Sequence, residues 1–150
     1  MTAGPGAAPL ALPRYRQPHE RSFALRQLDL KLATHIKHTG GFFVEAGAND
    51  GISQSNTLFY ARYRGWRGLL VEPIPELAAR CRVLRPESTV EQAALVSPDH
   101  EAPTARMRFA HLMSVVEGAR GSEAEDRRHV ELGEQLQGIS SYEVEVPART

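Results

Sequence analysis

The chain has 150 residues, with 18 Lys+Arg against 18 Asp+Glu, 6 His and 1 Cys. One domain is the expectation at this length, and such a chain buries about two thirds of its unfolded surface without a disulfide or metal staple. The single cysteine excludes an intrachain disulfide framework and a multi-cysteine zinc site. Zero formal net charge is the wrong field for a nucleic-acid or anionic-membrane binder, and no apolar run reaches the ~18 residues of a membrane span. These features read as a soluble, cytoplasmic chain.

Residues 1–20 carry Pro5, Pro9, Pro13 and Pro18 among Gly and Ala. They are expected to form a flexible tail. The start lacks a basic segment and the prolines interrupt its apolar stretch, so it makes a poor secretory signal. Arg14, Arg16 and Arg21 leave room for a transit-type reading, with an unstructured N-terminus the expectation.

From Arg21 to about His38, the spacing Leu25–Leu28–Leu32–Ile36 predicts a helix, stopped by Gly40 and Gly41. Phe42-Phe43-Val44 then reads as a buried strand running through Glu45-Ala46 into a turn at Gly47. Ser53 and Ser55 are candidate caps for a helix with Leu58, Phe59 and Tyr63 on its apolar side, ended by Gly65. Gly68 to Glu72 is a second buried strand, with a carboxylate at its C-terminal end. Pro75 suits the first turn of the next helix, whose face is Leu77, Cys81 and Leu84. Thr89 to Val96 is a third strand, stopped by Pro98. Strands alternating with helices imply parallel pairing through crossovers.

After Pro98 the signal thins. Met107 to His111 reads as a short strand and Ser122 to Gln137 as a polar helix. Tyr142 to Val146 alternates like a half-exposed strand.

The segment that carries chemistry is Glu45-Ala46-Gly47-Ala48-Asn49-Asp50-Gly51, between a strand and a helix. Glycines there let the backbone turn sharply and let a ligand approach without a Cβ in the way. Glu72 follows Gly51 by 21 residues, at the end of the next strand. In a doubly wound sheet that places its carboxylate beside the ribose of a nucleotide-like ligand. A dinucleotide fingerprint, Gly-x-Gly-x-x-Gly, counted from Gly47 needs glycine at positions 49 and 52, where this chain has Asn49 and Ile52. The spacing acid-x-Gly-x-x-x-Gly, met by Glu45, Gly47 and Gly51, suits S-adenosylmethionine, which has no pyrophosphate to cradle. Glu45 would then attract the ammonium end, directly or through water. Asn49 and Asp50 either touch the cofactor or shape the turn by their own backbone bonds.

Phe43 to Gly51, then Ser55-Asn56-Thr57-Leu58, then Gly65-Trp66-Arg67-Gly68-Leu69-Leu70-Val71-Glu72-Pro73-Ile74-Pro75-Glu76, resemble the FkbM family of methyltransferases. The resemblance is best over residues 41–96 and looser beyond. It implies a Rossmann-like, S-adenosylmethionine-dependent methyltransferase fold and O-methyl transfer to a hydroxyl of a small molecule or sugar. It also implies that Glu72 holds the ribose and that Pro73 and Ile74 flank the adenine, with Ala93 near the adenine edge.

The family pattern continues into a fourth parallel strand with an Asp-x-Glu-Gly-type ending, and nothing like it follows Val96 here. Residues 21–150 are therefore expected to be a partial methyltransferase domain, truncated after the third parallel strand plus extra β segments. Phe42, Phe43 and Val44 would then lie on an unprotected sheet edge. Two other functions stay open: a truncated, non-catalytic cofactor-binding remnant, and an NAD-dependent oxidoreductase on a related fold. Among single residues, Cys81 reads as a buried structural thiol, and His35 with His38 lacks a third metal ligand. His111, close to Met113 and Ser114, is either a base or a surface histidine, and no catalytic residue is assigned.

Overall fold

The structure is a computed structural model and describes residues 20–150. The tail expected over residues 1–20 lies almost wholly outside the described residues. The fold is mixed α/β, with two sheets. The first holds three parallel strands in the order β1 (Phe42–Ala46), β2 (Arg67–Val71), β3 (Thr89–Glu91). The helix α2 (Leu58–Arg64) connects β1 to β2, and α3 (Pro75–Leu84) connects β2 to β3. The second sheet has the order β4 (Ala94–Leu95), β7 (Tyr142–Arg149), β5 (Thr104–Phe109), β6 (Val115–Val116). Among the described residues no helix is long and apolar enough to cross a membrane.

Local chemistry explains most element ends. Gly65 takes a left-handed φ of 63° and stops α2. Pro75 opens α3, where its missing N–H costs no helical bond. Ser122 caps α4 (Glu123–Gln137), its Oγ accepting from Glu125 N–H at 3.3 Å. In β5 and β7 the side chains alternate. Ala105, Met107, Val146 and Ala148 turn inward with Ala94 to form one core cluster. Arg106 and Arg108 turn outward and pair with Glu117 and Glu143.

Three expectations are corrected. The N-terminal helix is only α1 (Leu28–Ala33), preceded by a 3-10 turn at Leu25–Gln27 in which Arg26 and Gln27 are left-handed. The cause is Asp29, fully buried, whose carboxylate accepts from Ser22 Oγ and from the N–H groups of Phe23, Ala24 and Leu30. Wrapping the chain around that acid breaks the helical run, and Leu25 and Leu28 stay exposed. The third strand is two strands: β3 ends at Glu91 and β4 crosses to the second sheet, where it pairs with β7. The α3 stripe also rotates. Ala78, Cys81 and Arg85 are buried, while Leu84 is exposed.

β1 is an edge strand, paired on one side only. Phe43 and Glu45 are buried, whereas Phe42 is 70% and Val44 61% exposed. Unpaired backbone beside two bare apolar side chains is a template for association. The double variant Phe42→Lys, Val44→Thr is expected to suppress concentration-dependent light scattering of the purified chain without lowering its unfolding midpoint. Undiminished scattering would show that β1 is not the sticky edge.

Candidate functional site

The turn after β1 is pinned to the end of β2. The N–H groups of Gly47 and Ala48 both donate to Val71 C=O, at 2.9 and 3.1 Å. One step further, Asn49 N–H donates to Glu72 Oε2 at 2.7 Å, and Ile74 N–H donates to Glu72 Oε1 at 3.0 Å. The Glu72 side chain is thus held from both sides by backbone. The residue is 5% exposed. Burial pushes its carboxyl above the usual glutamate range, partly offset by the bonds from Ile74 and Asn49.

Behind the turn lies a buried polar network. Glu45 accepts from Ser55 Oγ (2.8 Å), Asn56 N–H (2.7 Å) and Thr57 Oγ1 (2.6 Å). Ser55 Oγ in turn accepts from Leu58 N–H at 3.0 Å, so it serves the start of α2 from two residues before the Thr57 cap position. Ser53 does not cap that helix in this arrangement; its hydroxyl donates to Asp50 at 2.8 Å. Arg85, 1% exposed, enters from the end of α3. Its guanidinium donates to Gly51 C=O at 3.0 Å, reaches Ser55 Oγ at 3.4 Å and Thr57 Oγ1 at 3.5 Å, and pairs with Glu87 at 2.8 Å. It also lies over the Phe43 ring. Gly51 has φ +81°, and a Cβ there would stand 3.0 Å from Arg85 Cγ and 3.3 Å from Cys81 Sγ. A side chain at position 51 would displace Arg85.

Asp50 shapes the turn. Its carboxylate accepts from the N–H groups of Ile52 and Ser53 and from the Ser53 hydroxyl. Burial alone would raise its pKa; those bonds and the nearby Arg80 charge outweigh it and hold the pKa below the ordinary value. The Cys81 thiol donates to Asn49 C=O at 3.0 Å. Burial first, then the charges of Glu72 and Asp50, pushes it up to about 11, so it stays protonated as a structural group.

A cavity of about 180 Å³ opens between the two sheets. Of the residues singled out in the sequence, Gly47, Asn49, Glu72, Pro73 and Ile74 line it together. Gly47 turns its missing side chain toward open space, with nothing within 4 Å of where a Cβ would stand. Glu45 and Gly51 are not part of the lining; they brace the turn from behind. Ala93 is buried and is not part of the lining either. The opposite wall is Met107, Phe109, His111, Leu112 and Ser114, from β5 and the 3-10 turn at His111–Met113. Except for the open reading of His111, the sequence offered no signal for this wall. Arg85 did leave one: it continues the α3 stripe from Leu77 and Cys81 at four-residue intervals. Among the described residues no group of three or more His, Cys, Asp and Glu side chains stands close enough to hold a metal ion.

No family model, no curated protein and no solved structure matches the chain.

Glu45→Ala leaves one N–H and two hydroxyls without their acceptor, and buried donors so stranded cost about 1–3 kcal/mol each before relaxation. Urea unfolding is expected to show a loss of about 2–4 kcal/mol. An unchanged midpoint would mean that the carboxylate does not brace the turn.

Proposed function

We propose that the chain is the cofactor-binding part of an S-adenosylmethionine-dependent methyltransferase of FkbM type on a Rossmann-like framework. The reading grows from the strand, glycine turn, helix, strand and terminal acid. The observation that carries it is the placing of Glu72. Each of its carboxylate oxygens already accepts one backbone N–H. A carboxylate has about four acceptor sites, so each oxygen keeps capacity for one of two adjacent ribose hydroxyls, and Glu72 lines the cavity that would hold them.

The other lining residues fit the same group. The apolar side chains of Ile74, Leu77, Met107 and Phe109 suit a flat purine. Gly47, with open space where a side chain would stand, leaves backbone approach for the amino-acid end. When bound, S-adenosylmethionine supplies an electrophilic methyl group to a nucleophilic oxygen. This chain's own residues orient the nucleoside: Glu72 fixes the ribose, and the bonds from Asn49 and Ile74 fix Glu72. The acceptor is a hydroxyl of a small molecule or sugar. Because Asn49 and Ile52 stand where a dinucleotide turn needs glycine, NAD is the poorer fit.

Calorimetric titration with S-adenosylhomocysteine tests the site. Bonds to a charged acceptor are worth about 1.5–3 kcal/mol each, so Glu72→Ala is expected to weaken binding about 100-fold or more. Equal binding by the variant would remove Glu72 from the site.

The pH dependence has a fixed sign. The ionised carboxylate accepts from both hydroxyls, and protonation removes acceptor capacity. Since the folded pKa is raised, affinity is greatest where Glu72 is ionised and falls as pH drops through a window above the usual glutamate range. Glu72→Gln is expected to flatten that profile in the same titration. A profile that persists in the variant would assign the titration to another group.

A further inference from the structure

The helix α4 is polar and its outer face is exposed, yet two of its residues are committed to one short turn. Gly133 lies in the helix interior, where glycine is unfavourable relative to alanine. A Cβ there would stand 2.9 Å from Met113 Cβ and 3.5 Å from Ala110 Cβ. The absent side chain is what lets the turn at His111–Met113 lie against the helix. One helical turn later, the Gln137 amide works both strands of that turn. Its nitrogen donates to Ala110 C=O at 3.0 Å and to Gly133 C=O at 3.2 Å, and its oxygen accepts from Leu112 N–H at 3.3 Å. Ser114 closes the turn from the other side, its Oγ accepting from Ala110 N–H at 3.0 Å and donating to His111 C=O at 2.7 Å.

The residue so presented is His111. It sits at φ 53°, in the left-handed region. Its ring meets Phe109 at 6.3 Å between centroids, and neither ring nitrogen is hydrogen-bonded to any described residue. His111 is exposed and lines the same cavity as Glu72 and Ile74. The Ser114 hydroxyl is spent within the turn, which leaves the imidazole as the free polar side chain of the turn.

We infer that His111 recognises the nucleobase of the bound nucleoside, and that Gln137 and Gly133 are positioning residues that hold it there. This rests on the reading of the cavity as a nucleoside site. Toward Gly47 the lining is backbone, suited to a charged amino-acid tail. Toward Ile74, Leu77 and Phe109 it is apolar, suited to a purine face. His111 adjoins Phe109, and a purine against the apolar lining has hydrogen-bonding edges that Ile74, Leu77 and Phe109 cannot meet. One imidazole nitrogen can donate to a ring nitrogen, or accept from an amino group, according to its tautomer.

The test is calorimetry on the full chain with two probes, adenosine and S-adenosylhomocysteine, against wild type, His111→Ala, His111→Asn and Gln137→Met. Asparagine tolerates the left-handed backbone, so it separates loss of the ring from strain in the turn. The expected result is an equal loss, about tenfold, for both probes in both His111 variants, with a smaller loss in Gln137→Met. Unchanged affinity in the His111 variants overturns the inference. So does a loss confined to S-adenosylhomocysteine, which would put His111 at the sulfur end, or a loss confined to His111→Ala, which would assign the effect to the backbone. If wild type binds neither probe, the nucleoside reading falls and this inference falls with it. If wild type binds with the Glu72 dependence described above and the His111 variants bind as well, only this inference falls.

Discussion

The buried Arg85 guanidinium is the constraint on which the site depends. It joins the carbonyl of Gly51 to the hydroxyls of Ser55 and Thr57, which themselves donate to Glu45. One cation at the end of α3 therefore fixes three things: the glycine turn, the entry to α2, and the end of β1. Every hydroxyl and carbonyl in the group has a partner, as a buried polar network requires. No buried side-chain nitrogen or oxygen among the described residues lacks one. With the turn held from behind, its front is free to present Asn49 N–H to Glu72.

The same economy governs the far wall. The second sheet packs Ala94, Ala105, Met107, Val146 and Ala148 into a core of its own. Its strand β5 then carries Phe109 and the following turn to the wall of the cavity. The chain reaches that position because β4 leaves the parallel sheet and pairs with β7. Two small sheets, each with a separate core cluster, thus meet where the acid of one faces the aromatic and imidazole side chains of the other.

Much of the first sheet was legible in the sequence because its determinants are local. Phe43 and Leu70 sit in apolar runs, Gly65 and Pro75 punctuate helices, and the Gly47–Gly51 turn falls between a strand and a helix. The run Tyr142–Val146 announced a strand that extends to Arg149. What was not legible depends on distant partners. Leucine spacing promised a long first helix, but Asp29 accepts four bonds and breaks it. Thr89 to Val96 has no breaker in its sequence, and only pairing with β7 splits it. The carboxylate of Glu45 invited a ligand-contact reading, whereas three donors near the start of α2 occupy it. Phe109 and Leu112 gave no sign of approaching Glu72, because contacts between segments some 40 residues apart leave no periodicity to read.

The central claim is that Glu72 holds the ribose of a nucleoside in the cavity between the sheets. The most direct measurement is a crystal structure of the chain with S-adenosylhomocysteine. The account predicts both ribose hydroxyls within hydrogen-bond distance of the Glu72 carboxylate, with the base between Ile74 and Phe109. A ligand seated elsewhere, or one whose amino-acid end meets Glu72, would contradict it.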